Sequence, residues 1–135
     1  MSRMAARKAK RSGHGSALSD RAIRCAIEVH RELGPGLLEA IYEECLHFEL
    51  TGSGLAVERQ VAFPVIYKQR RLELAYRADL VVERELVIEI KAADRILPVH
   101  EAQMLTYLRL TGLRVGLLMN FDEAQLTKGL RRFVR

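Results

Sequence analysis

The 135-residue sequence predicts one α/β domain, built on a mixed four-stranded sheet with helices packed against it. Three observations support this fold class. Apolar residues recur at helical spacing over the first third of the chain, the middle third alternates as strands do, and the last third holds another helix followed by a short apolar run. The predicted order of elements is ααβββαβ.

Two amphipathic helices come first. Ser19 is placed to cap the first helix, which should end at the Gly-Pro-Gly corner of residues 34–36. The second is predicted from about residue 37 to residue 50, with Gly52 positioned to end it. The tight corner predicts that the two helices form a pair.

Three strands are predicted next, at residues 55–67, 72–82 and 86–92. Short turns join them, so we expect an antiparallel meander, and Pro64 places the first strand at or near a sheet edge.

The last part of the chain supplies a helix and another strand. Pro98 should begin the helix, Gly112 should end it, and the apolar residues 113–121 should form a buried strand. A right-handed crossover makes that strand parallel to the third one. For residues 126–134, a terminal helix and a short strand fit the pattern equally well.

The positive charge is concentrated at the N-terminus. Residues 1–16 hold 5 of the 22 Lys and Arg and none of the 17 Asp and Glu, which leaves 17 of each sign in the remainder. We therefore expect a basic, disordered arm at residues 1–16 and a neutral domain at residues 17–135. Three roles remain open for the arm: binding phosphates, aiding solubility, or lying upstream of the true start of the domain.

Nothing in the sequence indicates secretion or a membrane span, so we expect a cytoplasmic protein without a membrane partner. Cys25 and Cys45 lie in helical stretches without metal-ligand spacing, which predicts buried, reduced thiols and argues against a zinc site.

The segment YRADLVVERELVIEIKA holds the candidate chemistry. Glu89 and Lys91 are two residues apart on a strand and therefore share a face, and hairpin pairing brings Asp79 beside Glu89. Two carboxylates and an ammonium suit Mg²⁺ and phosphodiester chemistry. A surface ion pair is the alternative, since Glu-x-Lys pairs on strands are common.

Asp79 followed by Glu89-Ile90-Lys91 on consecutive strands resembles the signature of the PD-(D/E)XK nuclease superfamily, although Ala78 stands at the proline position. The αβββαβ core of that superfamily matches the order predicted for residues 37–119. The resemblance therefore implies a restriction-endonuclease-like fold.

Two further motifs fit the same resemblance. Gln103 and Tyr107, four apart on one helix face, are similar to the QxxxY motif of one branch of the superfamily. Gly36, Glu39 and Tyr42 form the GxxExxY motif, which names a group of small prokaryotic proteins within it.

By that resemblance, the protein is a Mg²⁺- or Mn²⁺-dependent phosphodiesterase that cuts DNA. The implied roles are metal ligation by Asp79, Glu89, the Ile90 carbonyl and Glu39, catalysis by Lys91, and orientation of the lysine or a substrate phosphate by Gln103 and Tyr107. The alternative is a module of the same fold that binds nucleic acid or a partner protein without cutting. Neither a homodimer nor an unidentified protein partner is specified by any residue.

The supporting residues also have simpler interpretations. Glu39 suits a carboxylate at the edge of the apolar stripe, Tyr42 and Tyr107 suit core aromatics with satisfied hydroxyls, and Gln103 suits a solvated position. Two basic clusters either guide a nucleic-acid backbone or are simply solvated; they are Lys68, Arg70 and Arg71, and Lys128, Arg131, Arg132 and Arg135.

Overall fold

The structure is a computed structural model that describes residues 14–135, except for the side chains of residues 14–16 and Leu74. Its elements are α1 (His14–Leu33), α2 (Glu39–Gly52), β1 (Val57–Tyr67), β2 (Arg70–Val82), β3 (Leu86–Lys91), α3 (Pro98–Thr111), β4 (Val115–Asn120), a 3₁₀ turn (Leu126–Gly129) and β5 (Leu130–Val134). The predicted disordered arm falls outside the described residues over positions 1–13.

The strands form one sheet in the order β1-β2-β3-β4-β5. β1, β2 and β3 are antiparallel neighbours, and β4 is parallel to β3, as the crossover through α3 requires. The predicted mixed α/β fold and the edge position of β1 are therefore confirmed. The sheet has one strand more than the four predicted, because the strand alternative for the C-terminal residues is the one observed: β5 pairs antiparallel with β4.

Helices cover both faces of the sheet. One face packs against α1 and α2 through a cluster that includes Leu46, Leu80 and Ile88. The other packs against α3 through a smaller cluster that includes Met104 and Leu118. Consequently, β3 and β4 are buried on both faces and read as nearly continuous apolar runs.

The first helix begins earlier than predicted. It starts at His14, so Ser19 lies within the helix and is not its cap. The Ser19 hydroxyl is fully buried and accepts a hydrogen bond from the Arg132 Nε at 3.0 Å. The residue that suggested a helix start thus joins α1 to β5.

The cysteines are only partly buried, where full burial was predicted, and both are free thiols. Among residues 14–135, no helix is long and apolar enough to cross a membrane.

Candidate active site

β2 and β3 separate at the position of the predicted acidic pair. Their pairing covers only residues 80–82 against residues 86–88, and it stops before Asp79 and Glu89 are reached. The pairing of β1 with β2 also passes over Gln60 and Asp79. Asp79 is therefore outside the regular ladder on both of its sides.

The side-chain alternation of β2 shifts at the same point. Tyr76 and Ala78 pack on the α3 face, whereas Leu80 and Val82 pack on the α1/α2 face. In a regular strand, residues two apart share a face, so β2 is irregular at Asp79. On the neighbouring strand Gln60 has a φ of 48°, a left-handed conformation that is uncommon without glycine.

The two carboxylates replace the missing ladder bonds. The Ile90 amide donates to the Asp79 Oδ2 at 2.8 Å, and the Asp79 amide donates to the Glu89 Oε2 at 3.3 Å. These bonds hold the two acids side by side where the strands diverge, so the structure brings together the pair that the sequence singled out.

Glu89 lies in an environment that disfavours its charge. Burial, followed by the negative charge of Asp79, raises the pKa of Glu89 from 4.5 to about 7. Tyr76 opposes this rise by donating its hydroxyl proton to the Glu89 Oε2. Burial also raises the pKa of Tyr76, so this hydroxyl remains a donor.

Tyr107 lies beside this pair. Its ring stacks on that of Tyr76 with a centroid distance of 3.5 Å and an interplanar angle of 17°. Both rings and Glu89 line an open cleft of about 390 Å³ together with Arg77. Gln103, one turn earlier on α3, is exposed and makes no hydrogen bond within the described residues.

Lys91 is half-buried, and its position two residues after Glu89 places it on the same face of β3. No carboxylate lies within ion-pair distance of its ammonium in the described part of the chain, although its charge slightly lowers the pKa of Glu89. A cation on the face of the acidic pair without a fixed partner is available to an anionic ligand.

Glu39 lies apart from the acidic pair. Its carboxylate accepts a hydrogen bond from the Ala92 amide at 3.2 Å, immediately after Lys91. No three His, Cys, Asp or Glu side chains are grouped to hold a metal anywhere in residues 14–135. The structure therefore joins Asp79 to Glu89 but does not bring Glu39 into the same cluster.

Besides Glu39, α2 makes a second contact with the strands, through Glu43, which the sequence did not predict. Gln60 donates from its Nε2 to the Glu43 Oε1 at 2.9 Å and to the Asp79 Oδ1 at 3.3 Å. Glu43 is buried and also pairs with Arg59 at 3.2 Å. The position of Glu43 next to Tyr42 was the one available signal, because nothing in the sequence marks Gln60.

Tyr42 has a structural role, as its simpler interpretation held. Its ring is fully buried and stacks on Phe121 at 4.6 Å. Its hydroxyl donates to the Gly34 carbonyl at 2.6 Å and accepts from the Leu37 amide at 3.1 Å. The Gly36 amide, in turn, donates to an Asp122 carboxylate oxygen at 3.0 Å. Two residues of the GxxExxY motif therefore fix the corner between α1 and α2.

The donor set at the split suits a hard divalent cation. Mg²⁺ is commonly held by one or two carboxylates, with water and substrate phosphate completing its shell. Asp79 and Glu89 supply those carboxylates, and the Ile90 carbonyl belongs to the residue between Glu89 and Lys91. Their internal hydrogen bonds leave lone pairs on both acids, since each carboxylate can accept about four.

Comparisons with known proteins bear on the family and the fold of the chain. A family model described as the PD-(D/E)XK nuclease superfamily matches residues 16–133. The fold is also similar to the crystal structure of SSO0001, with a TM-score of 0.51 and 23% identity over 69% of this chain and 48% of that one. This chain thus spans about half of that protein's length, and the likeness supports the fold alone. No curated protein matches the sequence.

Proposed function

The chain belongs to the PD-(D/E)XK nuclease superfamily, and on this basis we propose that it is a Mg²⁺- or Mn²⁺-dependent nuclease that hydrolyses phosphodiester bonds in DNA. One observation carries the proposal: Asp79 and Glu89 are held side by side where β2 and β3 separate, and Lys91 is on the same face. We also assign the chain to the prokaryotic GxxExxY group on its Gly36, Glu39 and Tyr42, and to the cytoplasm.

In this proposal Asp79 and Glu89 hold the cation, with the Ile90 carbonyl as a third ligand. The cation, when bound, lowers the pKa of a water molecule and polarises the phosphodiester. Hydrolysis adds the oxygen of that water to phosphorus and breaks one P–O bond; one proton of the water goes to the departing oxygen, and the other leaves to solvent or stays on the new phosphate monoester.

Lys91 and Glu39 complete the assignment. Lys91 stabilises the negative charge that develops on the phosphate, because its ammonium has no internal partner among the described residues. Glu39 holds the Ala92 amide and so fixes the strand end that carries Lys91. We assign it this positioning role in place of direct metal ligation.

The aromatic pair supports Glu89 from the other side. Tyr76 directs one Glu89 oxygen through its hydroxyl, and Tyr107 covers Tyr76 by stacking. Gln103 is exposed, which leaves its amide free to contact a substrate phosphate along α3.

The first test is cleavage of linear, circular and single-stranded DNA in Mg²⁺ or Mn²⁺. We expect the wild type to cut and Asp79→Ala or Lys91→Ala to lose about 10²-fold or more of that activity. Lys128→Ala, which removes an exposed lysine from the 3₁₀ turn, is the matched control and should cut normally.

Isothermal titration separates metal binding from cutting. Mg²⁺ or Mn²⁺ should bind the wild type and fail to bind an Asp79→Ala/Glu89→Ala double variant. A wild type that neither binds metal nor cuts any of the three substrates refutes the nuclease and favours the non-cutting binding module.

A further inference from the structure

The hairpin of β1 and β2 extends well beyond the rest of the sheet. β1 spans 11 residues and β2 spans 13, yet β2 pairs with β3 only through residues 80–82. The outer part of β2, residues 70–78, is therefore paired with β1 alone. The end of the β1–β2 hairpin, residues 66–71, is the hairpin tip.

The hairpin tip has a composition suited to a phosphate backbone. Lys68, Arg70 and Arg71 are exposed, and residues 66–72 contain no acid. None of the three cations makes an ion pair or donates a side-chain hydrogen bond within the described residues; Lys68 lies 5.4 Å from the Tyr67 ring centroid. Tyr67 itself is 58% exposed.

The three arginines of the other basic cluster are engaged internally, which sets the hairpin tip apart. Arg131 pairs with Glu101, Arg132 binds Ser19, and Arg135 donates to backbone carbonyls. Those cations hold β5 in place, whereas the tip cations hold nothing within the described chain.

The turn at the tip has an unusual conformation for its residues. Lys68 and Gln69 have φ values of 49° and 69°, as a tight two-residue hairpin turn requires. Glycine or asparagine normally occupies such positions, because the left-handed conformation is sterically unfavourable for residues with larger side chains. A long cationic side chain is thus placed at the extreme end of the hairpin in spite of this cost.

The length of the hairpin sets the distance from the candidate active site. The register shift between Pro64 and Ile66 bulges β2, so the span is counted along β1, where seven residues separate Gln60, opposite Asp79, from Tyr67, which pairs with Arg70. This corresponds to about 23 Å at about 3.3 Å per residue. One strand of duplex DNA advances about 3.4 Å per phosphate, so the hairpin spans about seven base pairs. DNA duplexes are stiff over such a length, with a persistence length of about 150 base pairs.

We propose that the hairpin tip binds the sugar–phosphate backbone of double-stranded DNA about seven base pairs from the bond at the candidate active site, with Lys68, Arg70 and Arg71 on phosphates. This inference rests on the proposed function, because it takes the split between β2 and β3 as the position of the reacting phosphate.

The test measures binding, which does not depend on cutting. A fluorescein-labelled 30-base-pair duplex and a 5-base-pair duplex closed by a loop are titrated with protein in EDTA, and anisotropy gives Kd across a series of salt concentrations. The tip variant is Lys68→Gln/Arg70→Gln/Arg71→Gln. On the long duplex we expect about tenfold or weaker binding and a salt slope lower by about three, since each lost phosphate contact removes about one.

The control variant is Arg24→Gln/Arg84→Gln/Arg114→Gln. It also removes three positive charges, from exposed positions on α1 and at the end of the sheet opposite the hairpin tip. It should bind the long duplex nearly as the wild type does. Thermal unfolding of both triple variants by circular dichroism establishes that each is folded.

Three outcomes overturn the proposal. The tip variant keeps the wild-type salt slope on the long duplex, or the control variant loses as much, or the loss is as large on the 5-base-pair duplex. A labelled 30-nucleotide single strand that suffers the same loss overturns the choice of duplex. A wild type that binds duplex DNA through the tip but cuts nothing refutes the proposed function and its spacing to a reacting phosphate, and leaves the tip as a DNA-binding element alone.

Discussion

Replacing Glu89 by glutamine should stabilise the metal-free protein at high pH. The carboxyl has a pKa of about 7 in the folded protein against 4.5 for the ordinary group, because of burial and the charge of Asp79. The folded state thus holds this proton more tightly than the unfolded state. The stabilisation is complete below about pH 4.5 and is lost as the pH rises through 7.

The magnitude follows from the size of the shift. A difference of about 2.5 pKa units corresponds to about 3 kcal/mol of unfolding free energy, at about 1.4 kcal/mol per unit. Some of that contribution is already lost at pH 5, so we expect about 2–3 kcal/mol between pH 5 and pH 8.5. Glutamine does not titrate, and Glu89→Gln should therefore gain this amount over the wild type across that interval.

Urea unfolding in EDTA at pH 5 and pH 8.5 measures the effect. Glu73→Gln, which neutralises an exposed carboxylate on β2, is the control and should show no such change between the two pH values. If Glu89→Gln alters the unfolding free energy equally at both pH values, the free-energy cost of ionising the buried Glu89 carboxyl beside Asp79 is absent.

Adding Mg²⁺ at pH 8.5 extends the experiment. A cation held by Asp79 and Glu89 stabilises the wild type by about 2.7 kcal/mol at a hundred times its Kd. Glu89→Gln should gain much less, because one of the two carboxylates is gone. An equal gain in both proteins places the cation elsewhere.

Three other predictions concern side chains and backbone around the site. Tyr76→Phe should raise the pKa of Glu89, followed by carboxyl NMR, because it removes a hydrogen bond that favours the carboxylate; an unchanged pKa contradicts that bond. Asn120→Ala should lower the unfolding free energy by about 3 kcal/mol, since the fully buried amide makes three backbone hydrogen bonds. Gly129→Ala should cost about 2 kcal/mol in urea unfolding, because its Cβ would lie 2.5 Å from the Asn120 carbonyl oxygen. Gly52→Ala, with open space around it, is the control and should change little.

Local patterns sufficed for most of the fold. The period of 3.6 residues marked the helices, and alternation from residue 55 marked β1 and β2. β3 is buried on both faces and was marked by its short apolar run between turns. The parallel relation of β3 and β4 followed from handedness alone.

The features that the sequence did not predict depend on contacts between distant segments. β5 is five residues long and rich in arginine, so its edge pairing to β4 has no clear local signature. No glycine or proline stands next to Asp79 to indicate in the sequence that β2 is irregular there. The Tyr76 hydroxyl reaches Glu89 only because of that irregularity, which is why sequence spacing did not identify it.

The acidic pair was predicted for a partly different reason from the one observed. Regular hairpin pairing was expected to bring Asp79 beside Glu89, and the two are adjacent. The ladder actually ends at Leu80 and Ile88, and the acids are held by each other's strand amides. The position of the pair was thus predictable, while the opening between the strands was not.

The hydrogen bonds around Tyr42 tie the GxxExxY motif to the corner between α1 and α2 and not to the acidic pair. Gly36 and Tyr42 secure the corner between two helices, and neither touches Asp79, Glu89 or Lys91 through any hydrogen bond described above. Their preservation in a relative therefore reports an intact scaffold. A variant that retains both but has lost Lys91 should still fold, so the motif by itself reports the corner between α1 and α2 and carries no information about the acidic pair.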